Sequence, residues 1–417
     1  MSNGTVLPSI RAEIKAEVYK EEGREYMYLT DPNNYATQAV SIPTDFLPLL
    51  GYLDGNYSVA SVEQAISGDN KDEEVKEIMD SFINLVNFLD YMGYLDSQRF
   101  KWLKQDIDTY LGSTVRPAYC SGSSYADNKS ELEKEMQAIF ASSDKEDVKA
   151  GADMIIVPHI DFRIGKQAHR AYSLAYNALR GKNPDLIVVF GTSHNGSSKR
   201  FILSEKHFET PFGIVQNASD LTNALLETAN EDAQLILDEI AHRNEHSIEF
   251  QVLMSQYFFK DKPFKILPIL VNSFVGDIYK GILPSDDRKF VDFISNLRKV
   301  INESGYEAVY IASADMAHIG RKFDDDFDAD ERLSQLKIED EELIHHLAKC
   351  EPVPFFQSVA NIKDRNKICG LAPIYSILKL LEPSESRFLY YDIWNEKETK
   401  SAVSFGAFAY YGAKTSN

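Results

Sequence analysis

Residues 186–195 read LIVVFGTSHN, a short apolar run that ends abruptly in polar residues. An apolar run of about four to eight residues, bounded by turn-forming residues, is typical of a strand buried on both faces of a sheet. Amphipathic helical patterns separate this run from others like it, and such alternation predicts α/β units around a central sheet. Three further runs have the same form: MIIVP (154–158), FKILPILV (264–271) and AVYIASA (308–314).

The alternation continues through the rest of the chain from residue 113 onward. Helical patterns occupy residues 167–179, 247–259 and 289–301. Two late apolar runs, RFLYYDIW and SAVSFGAFAYYG, predict a last pair of strands at an edge of the sheet. We therefore predict for residues 113–417 an α/β domain whose central sheet is mainly parallel or mixed and is flanked by helices.

Residues 1–112 have a different pattern, which predicts a small helical domain. In EEVKEIMDSFINLVNFLDYMGYLDSQRF the apolar spacing predicts one buried helical face, with Gly93 beyond the helix end as a stop. The order of LLGYLDG, a short helix and a longer helix ending in MGYLDS resembles the winged-helix-like module of the PqqD type. Such modules usually bind peptides or partner proteins. The predicted apolar face consists of Ile78, Phe82, Leu85, Phe88 and Leu89.

The composition is that of an ordinary soluble globular protein, with 44% hydrophobic and 26% charged residues in a chain of 417. The 44 Lys and Arg residues against 64 Asp and Glu give a net charge of −20, which repels phosphate backbones and anionic membrane surfaces. We therefore expect neither nucleic acid nor a membrane as a partner. The sequence shows no secretory signal pattern and no run of about eighteen apolar residues, so we expect a cytoplasmic protein.

Polar side chains follow three of the apolar runs at the point where each run ends. His159 follows MIIVP, His194 follows LIVVFG, and both Asp315 and His318 follow AVYIASA. Ligands of open α/β sheets bind beyond the carboxyl ends of the strands. A lone histidine after a strand is more often a surface residue or a hydrogen-bonded core residue. Three such strand ends, in a chain with nine histidines, favour a shared site.

The segment HRNEHSIEFQ, at residues 242–251, contains two histidines four residues apart. It matches H-x-x-E-H, the inverted zinc-peptidase motif, in which both histidines lie on one helix. We reject that interpretation because Arg243 and Asn244 look like a loop that leads into a helix beginning near Ser247. A loop would not hold the two imidazoles on one face.

Cys369 stands in NKICGLAPIYSILKLL, directly before Gly370 and an apolar helical pattern. A thiol at a helix N-terminus lies near the positive end of the helix dipole and loses its proton more easily, which suits a metal ligand or a nucleophile. Cys120 and Cys350 lack that setting, and we interpret Cys350 as a packed or surface thiol. Three cysteines without a CxxC pair predict no disulfide framework.

Six motifs together resemble the MEMO family, also called AmmeMemoRadiSam system protein B, from about Arg116 to the end of the chain. That family is related in fold to the class III extradiol dioxygenases. The first motif departs from the family pattern, because Cys120-Ser121-Gly122 stands where an Ala-Gly pair usually precedes an aromatic residue. The motifs are RPAYCSGSSYADN, PHIDF, GTSHN, NEHSIEFQ, ASADMAHIG and ICGLAPI, in that order.

The resemblance implies a non-haem iron(II) or copper pocket with His159, His194 and Cys369 as ligands. It also implies that His318 is an acid/base group, that Asp315 orients it or faces the pocket, and that His246 lines the same cavity. A redox or oxygen-related role would follow. Ring cleavage is not expected, because a thiolate replaces the usual carboxylate ligand of the dioxygenases.

Two other functions stay open at this point. In one, Cys369 is a nucleophile with His318 as base and Asp315 as orienter, and no metal is needed. In the other, the domain is a non-catalytic module that binds a peptide, a protein or a small molecule in its cleft. The resemblance further implies a radical-SAM enzyme and other proteins of the AmmeMemoRadiSam system as partners.

Overall fold

The computed structural model describes the chain except for residues 1–2, 22, 34, 37–38, 69–71, 144–147, 230–232, 261 and 415–417. The chain divides into two compact units, Met1–Ser113 and Thr114–Asn417. In the described part of the chain, no helix is both long enough and apolar enough to cross a membrane.

The first unit, predicted as a small helical and possibly winged-helix-like module, contains a three-stranded sheet as well as helices. Its three strands pair antiparallel in the order β1-β2-β3. The sheet was not predicted from the sequence, because its outer strand, KAEVYKE, is highly charged and contains no apolar run. The elements are β1 (Lys15–Glu21), β2 (Arg24–Thr30), β3 (Val40–Pro43), α1 (Leu47–Leu50), α2 (Val59–Ile66), α3 (Asp72–Tyr91) and α4 (Gln98–Gly112).

Helix α3 forms where the apolar spacing predicts it, and Gly93 follows its end with a φ of 87°. Its buried face differs in part from the predicted one. Phe88 is 43% exposed and lies off that face. The buried residues recur at alternating intervals of four and three, which keeps one stripe facing the core. They are Val75, Met79, Phe82, Val86 and Leu89.

The second unit is built on a large mixed sheet flanked by helices, which confirms the predicted α/β class. The main path of the sheet runs β13-β15-β5-β12-β6-β11-β9-β8-β4. Its strands are β4 (Val115–Arg116), β5 (Met154–Val157), β6 (Leu186–Thr192), β7 (Phe201–Leu203), β8 (His207–Thr210), β9 (Gly213–Asn217), β10 (Leu235–Leu237), β11 (Lys265–Val271), β12 (Ala308–Ser313), β13 (His318–Gly320), β14 (Glu385–Glu396) and β15 (Ser401–Tyr411).

The four predicted central strands are β5, β6, β11 and β12. Adjacent strands among these four pair in parallel. The two predicted C-terminal strands do pair with each other. They also lie at an edge of the sheet, as predicted: among the described strands β14 pairs with β15 alone, and β15 pairs on its other side with β5 and β13. All eleven residues of β15 are buried, as an inner strand requires.

Helices cover both faces of this sheet and enclose two apolar cores. One core packs the sheet against α7, α11, α12, α13 and α14, and the other against α5, α6 and α9. The helices are α5 (Lys129–Ala141), α6 (Lys166–Ala178), α7 (Ser219–Thr228), α8 (Glu239–Arg243), α9 (His246–Phe258), α10 (Val275–Lys280), α11 (Arg288–Ser304), α12 (Leu333–Ala348), α13 (Pro352–Asn361) and α14 (Leu371–Leu381).

The start of α14 packs directly on the end of β12. The amide of Gly370, the N-cap of α14, donates a hydrogen bond to the carbonyl of Asp315 at 3.0 Å. A Cβ at Gly370 would lie 2.4 Å from that carbonyl oxygen and 2.7 Å from Cβ of Ala314. Only glycine fits this contact, and the contact fixes the position of the neighbouring Cys369.

We expect Gly370→Ala to lower the free energy of unfolding by about 1–3 kcal/mol, because the backbone at Asp315 must move away from the added methyl group. Gly276→Ala is the matched control, since a Cβ there meets nothing within 4 Å and the residue lies inside α10. The control should be unchanged or stabilised by up to about 1 kcal/mol. Urea unfolding of both variants measures this, and equal free energies would contradict the prediction.

Candidate metal centre

A cavity of about 1050 Å³ lies at the carboxyl ends of the parallel strands. His159 after β5, His194 after β6 and Asp315 after β12 line it. His246 at the start of α9 and His318 at the start of β13 line it as well. Aromatic side chains complete much of the wall, namely Tyr119, Phe250, Phe323 and Trp394.

His159 is buried and held at both its backbone and its ring. Its amide donates to Oδ1 of Asp315 at 3.0 Å, and its Nδ1 lies 3.1 Å from the carbonyl oxygen of Ser313. A carbonyl can only accept, so Nδ1 carries the proton and Nε2 keeps a lone pair. Burial, reinforced by the neighbouring His194, lowers the pKa of His159 to about 3, so the imidazole is neutral.

His194 is held by the buried carboxylate of Glu245. Its Nδ1 lies 2.9 Å from Oε1 of Glu245, and its amide donates to Oε2 at 2.9 Å. Burial would lower the pKa of His194, but the hydrogen bond and charge of Glu245 outweigh burial and raise it. Conversely, burial would raise the pKa of Glu245, but the hydrogen bond from His194 holds it well below its usual range.

Cys369 lies against His159, with Sγ 3.4 Å from Nε2 of the imidazole. The Thr192 hydroxyl donates to the Cys369 carbonyl at 2.9 Å, which ties this segment to the end of β6. The prediction that the Cys369 thiol has a lowered pKa is wrong. Burial, together with the charge of Asp315, raises the pKa of Cys369 well above its ordinary value. The helix begins at Leu371, two residues later, and its dipole does not overcome desolvation.

The three residues assigned to a metal by the family resemblance come together. One donor atom each from His159, His194 and Cys369 lies within 4.8 Å of the others. Metal–ligand distances of roughly 2.0–2.3 Å would bring all three donors to one ion with small shifts. His194, Glu245 and His246 form a second group within 4.8 Å. We prefer the first group, because using Glu245 as a ligand would leave the amides that it accepts without partners.

The remaining predicted site residues also line the cavity. His318 has Nδ1 3.2 Å from the carbonyl oxygen of Lys367. The carboxylate of Asp315 accepts the amide of His159 and lies 3.7 Å from its Nε2, and in the described part of the chain it makes no hydrogen bond to His318, so Asp315 faces the pocket. Burial raises the pKa of Asp315 and lowers the pKa of His318. For His246, burial and the nearby His159 lower the pKa to about 4.

The H-x-x-E-H string does not form a zinc-peptidase site. His242 is in α8, whereas His246 begins α9, so the two histidines are on different helices. His242 is fully buried, and its Nε2 lies 3.0 Å from the carbonyl oxygen of Ile202. The loop expected at residues 243–244 is shorter than predicted, because Arg243 ends α8.

The sequence interpretation missed the buried charges that surround the site. Arg116 donates to Oε2 of Glu249 at 2.6 Å, and both side chains are fully buried. Glu249 also accepts from the amides of Tyr119 and Cys120. The opening motif is therefore held through backbone amides and Arg116, so its departure from the family pattern at residues 120–122 does not disturb this contact. In the sequence, the two glutamates of the NEHSIEFQ motif, Glu245 and Glu249, are the feature from which these buried charges could have been predicted.

Comparison with known proteins agrees with the family resemblance found in the sequence. The family model described as "Memo-like protein" matches residues 116–409. A MEMO1 family protein from Aquifex aeolicus is 27% identical over 385 residues, which cover 91% of this chain and 95% of that protein. An alignment of that length must extend into Met1–Ser113. A MEMO1 family protein from Nitrosopumilus maritimus is 25% identical and is covered over 98% of its length by 70% of this chain.

Burial makes His242 a pH-sensitive group of the fold. Its Nε2–H donates to Ile202, whereas its Nδ1 is buried without a hydrogen-bond partner among the described residues, so a second proton there would be unpaired. Burial lowers the pKa of His242 to about 4. Since an unfolded histidine titrates near 6.5, the unfolded state binds more protons between about pH 6.5 and 4, and stability falls as the pH falls through this window.

We expect His242→Gln to flatten this pH dependence, because the amide can still donate to Ile202 but cannot be protonated. The wild type should lose up to about 1.4 kcal/mol more per pH unit than the variant between pH 5.5 and 4.5. Urea unfolding of metal-free protein at pH 6.5, 5.5 and 4.5 measures the difference. Parallel losses in the two proteins would show that His242 does not contribute.

Proposed function

This chain belongs to the Memo-like protein family, and on that premise we propose that its second unit binds one non-haem iron or copper ion through His159, His194 and Cys369. The proposal depends on one observation above all. Donor atoms from the ends of β5 and β6 and from the segment before α14 lie within 4.8 Å of one another.

The donor set suits such an ion. The Nδ1 atoms of His159 and His194 are engaged by Ser313 and Glu245, which leaves each Nε2 free to bind a metal. His159 is neutral, so it needs no deprotonation before binding. Iron(II) and copper both accept imidazole and thiolate ligands together. When bound, the ion would supply redox or oxygen chemistry, with coordination positions left open for a substrate.

His318 is suited to proton transfer in the cavity. Because its Nδ1 faces the carbonyl of Lys367, its Nε2 keeps a lone pair that can accept a proton from a bound molecule. Burial keeps this imidazole neutral by lowering its pKa. Its ring is held edge-on to Phe323 at a centroid distance of 5.0 Å. His246 lies beside His159 and His194 and adds a third imidazole to the same wall.

The geometry favours the metal site over a thiol nucleophile. The imidazole against Sγ of Cys369 is that of His159, not that of His318, the base expected for a nucleophilic thiol. A nucleophilic cysteine also needs a depressed pKa, and burial acts on Cys369 in the opposite direction.

A binding role for the cavity is the second candidate. Its volume of about 1050 Å³ and its aromatic wall suit a small molecule or the end of a peptide. On the family resemblance we also propose that the Met1–Ser113 unit engages a partner protein, with a radical-SAM enzyme and other AmmeMemoRadiSam proteins as the first to test. If the cavity only binds a ligand, His159→Ala should abolish any metal signal and leave that binding intact.

The direct test is elemental analysis of protein purified without oxygen or chelators. We expect near-stoichiometric iron or copper in the wild type. Cys369→Ser and His159→Ala should contain much less metal, because each substitution should weaken metal affinity by roughly 10–100-fold or more. Cys350→Ser and His345→Ala are matched controls, because neither residue belongs to a group of converging metal-donor atoms in the described part of the chain. The controls should keep the wild-type metal content. Wild-type protein that stays metal-free after reconstitution would overturn the proposal.

A further inference from the structure

Glu245 is a buried carboxylate on which several N–H groups converge. It is 1% exposed and caps the N-terminus of α9. Its Oε2 accepts the amide of His194 at 2.9 Å, and its Oε1 accepts the amide of Ser247 at 3.0 Å. The same Oε1 lies 2.9 Å from Nδ1 of His194 and 3.4 Å from Nδ1 of His246.

We propose that Glu245 is the positioning residue of the metal pocket, which fixes the orientation and tautomer of His194 and restrains His246 beside it. This inference rests on the proposed metal site and adds a residue to it. Glu245 is not assigned as a ligand, because coordination would compete with the amides of His194 and Ser247 for its oxygens.

The Glu245 carboxylate accepts two hydrogen bonds from His194. It accepts both the backbone amide and the ring Nδ1 of this one residue, so neither the strand end nor the imidazole can rotate without breaking a charge-assisted hydrogen bond. Accepting at Nδ1 also keeps the proton there and leaves Nε2 as the metal donor. A neutral imidazole without this partner would distribute between two tautomers, and only one of them leaves the lone pair on Nε2 for a metal ion.

Glu245 is itself held rigidly. The buried Arg116 donates to the Glu245 carbonyl at 3.1 Å and to the His242 carbonyl at 2.7 Å. The negative charge of Glu245 lies at the positive end of the α9 dipole, which favours the ionised form. The carboxylate therefore has a fixed backbone beneath it and a fixed charge, as a positioning group requires.

An isosteric amide cannot replace this carboxylate. In Glu245→Gln the single carbonyl oxygen can serve either the His194 amide or the pair formed by the Ser247 amide and the His194 ring. In both orientations the amide NH₂ faces another N–H donor. The substitution thus removes one set of contacts without changing the size of the side chain.

The test uses Co²⁺ alone as the probe, since its absorption reports thiolate binding and ligand geometry. We expect Glu245→Gln to bind Co²⁺ roughly 10- to 100-fold more weakly than the wild type in a chelator competition, with an altered visible spectrum. Glu239→Gln is the control, because Glu239 also accepts a backbone amide near a helix start, but from Glu205, and its side-chain partner is Ser204 rather than a histidine of the site. Its Co²⁺ affinity and spectrum should match the wild type, whatever stability it loses.

The outcomes separate the two proposals. If wild-type protein binds no Co²⁺, the metal site itself fails and this inference falls with it. If the wild type binds Co²⁺ and Glu245→Gln binds it with equal affinity and an identical spectrum, only the positioning role is overturned. Should Glu245→Gln not fold, Glu245→Asp takes its place. Its shorter carboxylate cannot reach both groups of His194, so an unchanged spectrum there would also overturn the inference.

Discussion

The candidate site depends on the level register of three parallel strands. Ser313 near the end of β12 pairs with Val157 of β5 on one side and with Gly191 of β6 on the other. Because the three strands end at the same height, the residues that follow them must leave the sheet side by side. His159, His194 and Asp315 are neighbours for this reason. A slip of one strand by a single residue would turn its side chains to the other face of the sheet.

Burial of charge next to this edge is the second constraint. Arg116, Glu245 and Glu249 are all within the protein, where an unpaired charge would be very costly. Each is compensated by several hydrogen bonds. Glu249 accepts from Arg116, from two backbone amides and from the Tyr125 hydroxyl. This network connects the opening motif to the turn between α8 and α9, so motifs far apart in sequence support one wall of the cavity.

The central strands and the family could be predicted from sequence because apolar runs and local motifs carry that information directly. The strand ends identified the histidines in the same way. The role of Glu245 could not be predicted, since it follows from the turn between two helices that brings its carboxylate to His194. The acidity of Cys369 was misjudged because a helix dipole is visible in sequence, whereas the desolvation that opposes it appears only in the folded chain. The charged strand KAEVYKE was missed for a similar reason, since its pairing partner supplies its stability.

The electrostatics around Cys369 are consistent with the proposed metal site. Without one, burial keeps the thiol of Cys369 protonated and raises the pKa of Asp315, while Glu245 stays ionised beside His194. A nucleophilic thiol would need a positive neighbour, and the imidazole in contact with its Sγ, that of His159, is neutral. A bound metal ion reverses the local balance, since its charge stabilises a coordinating thiolate and the nearby carboxylates together. If Cys369 is a ligand of the proposed ion, the same burial that makes it a poor nucleophile would keep its thiol protonated until a metal ion binds.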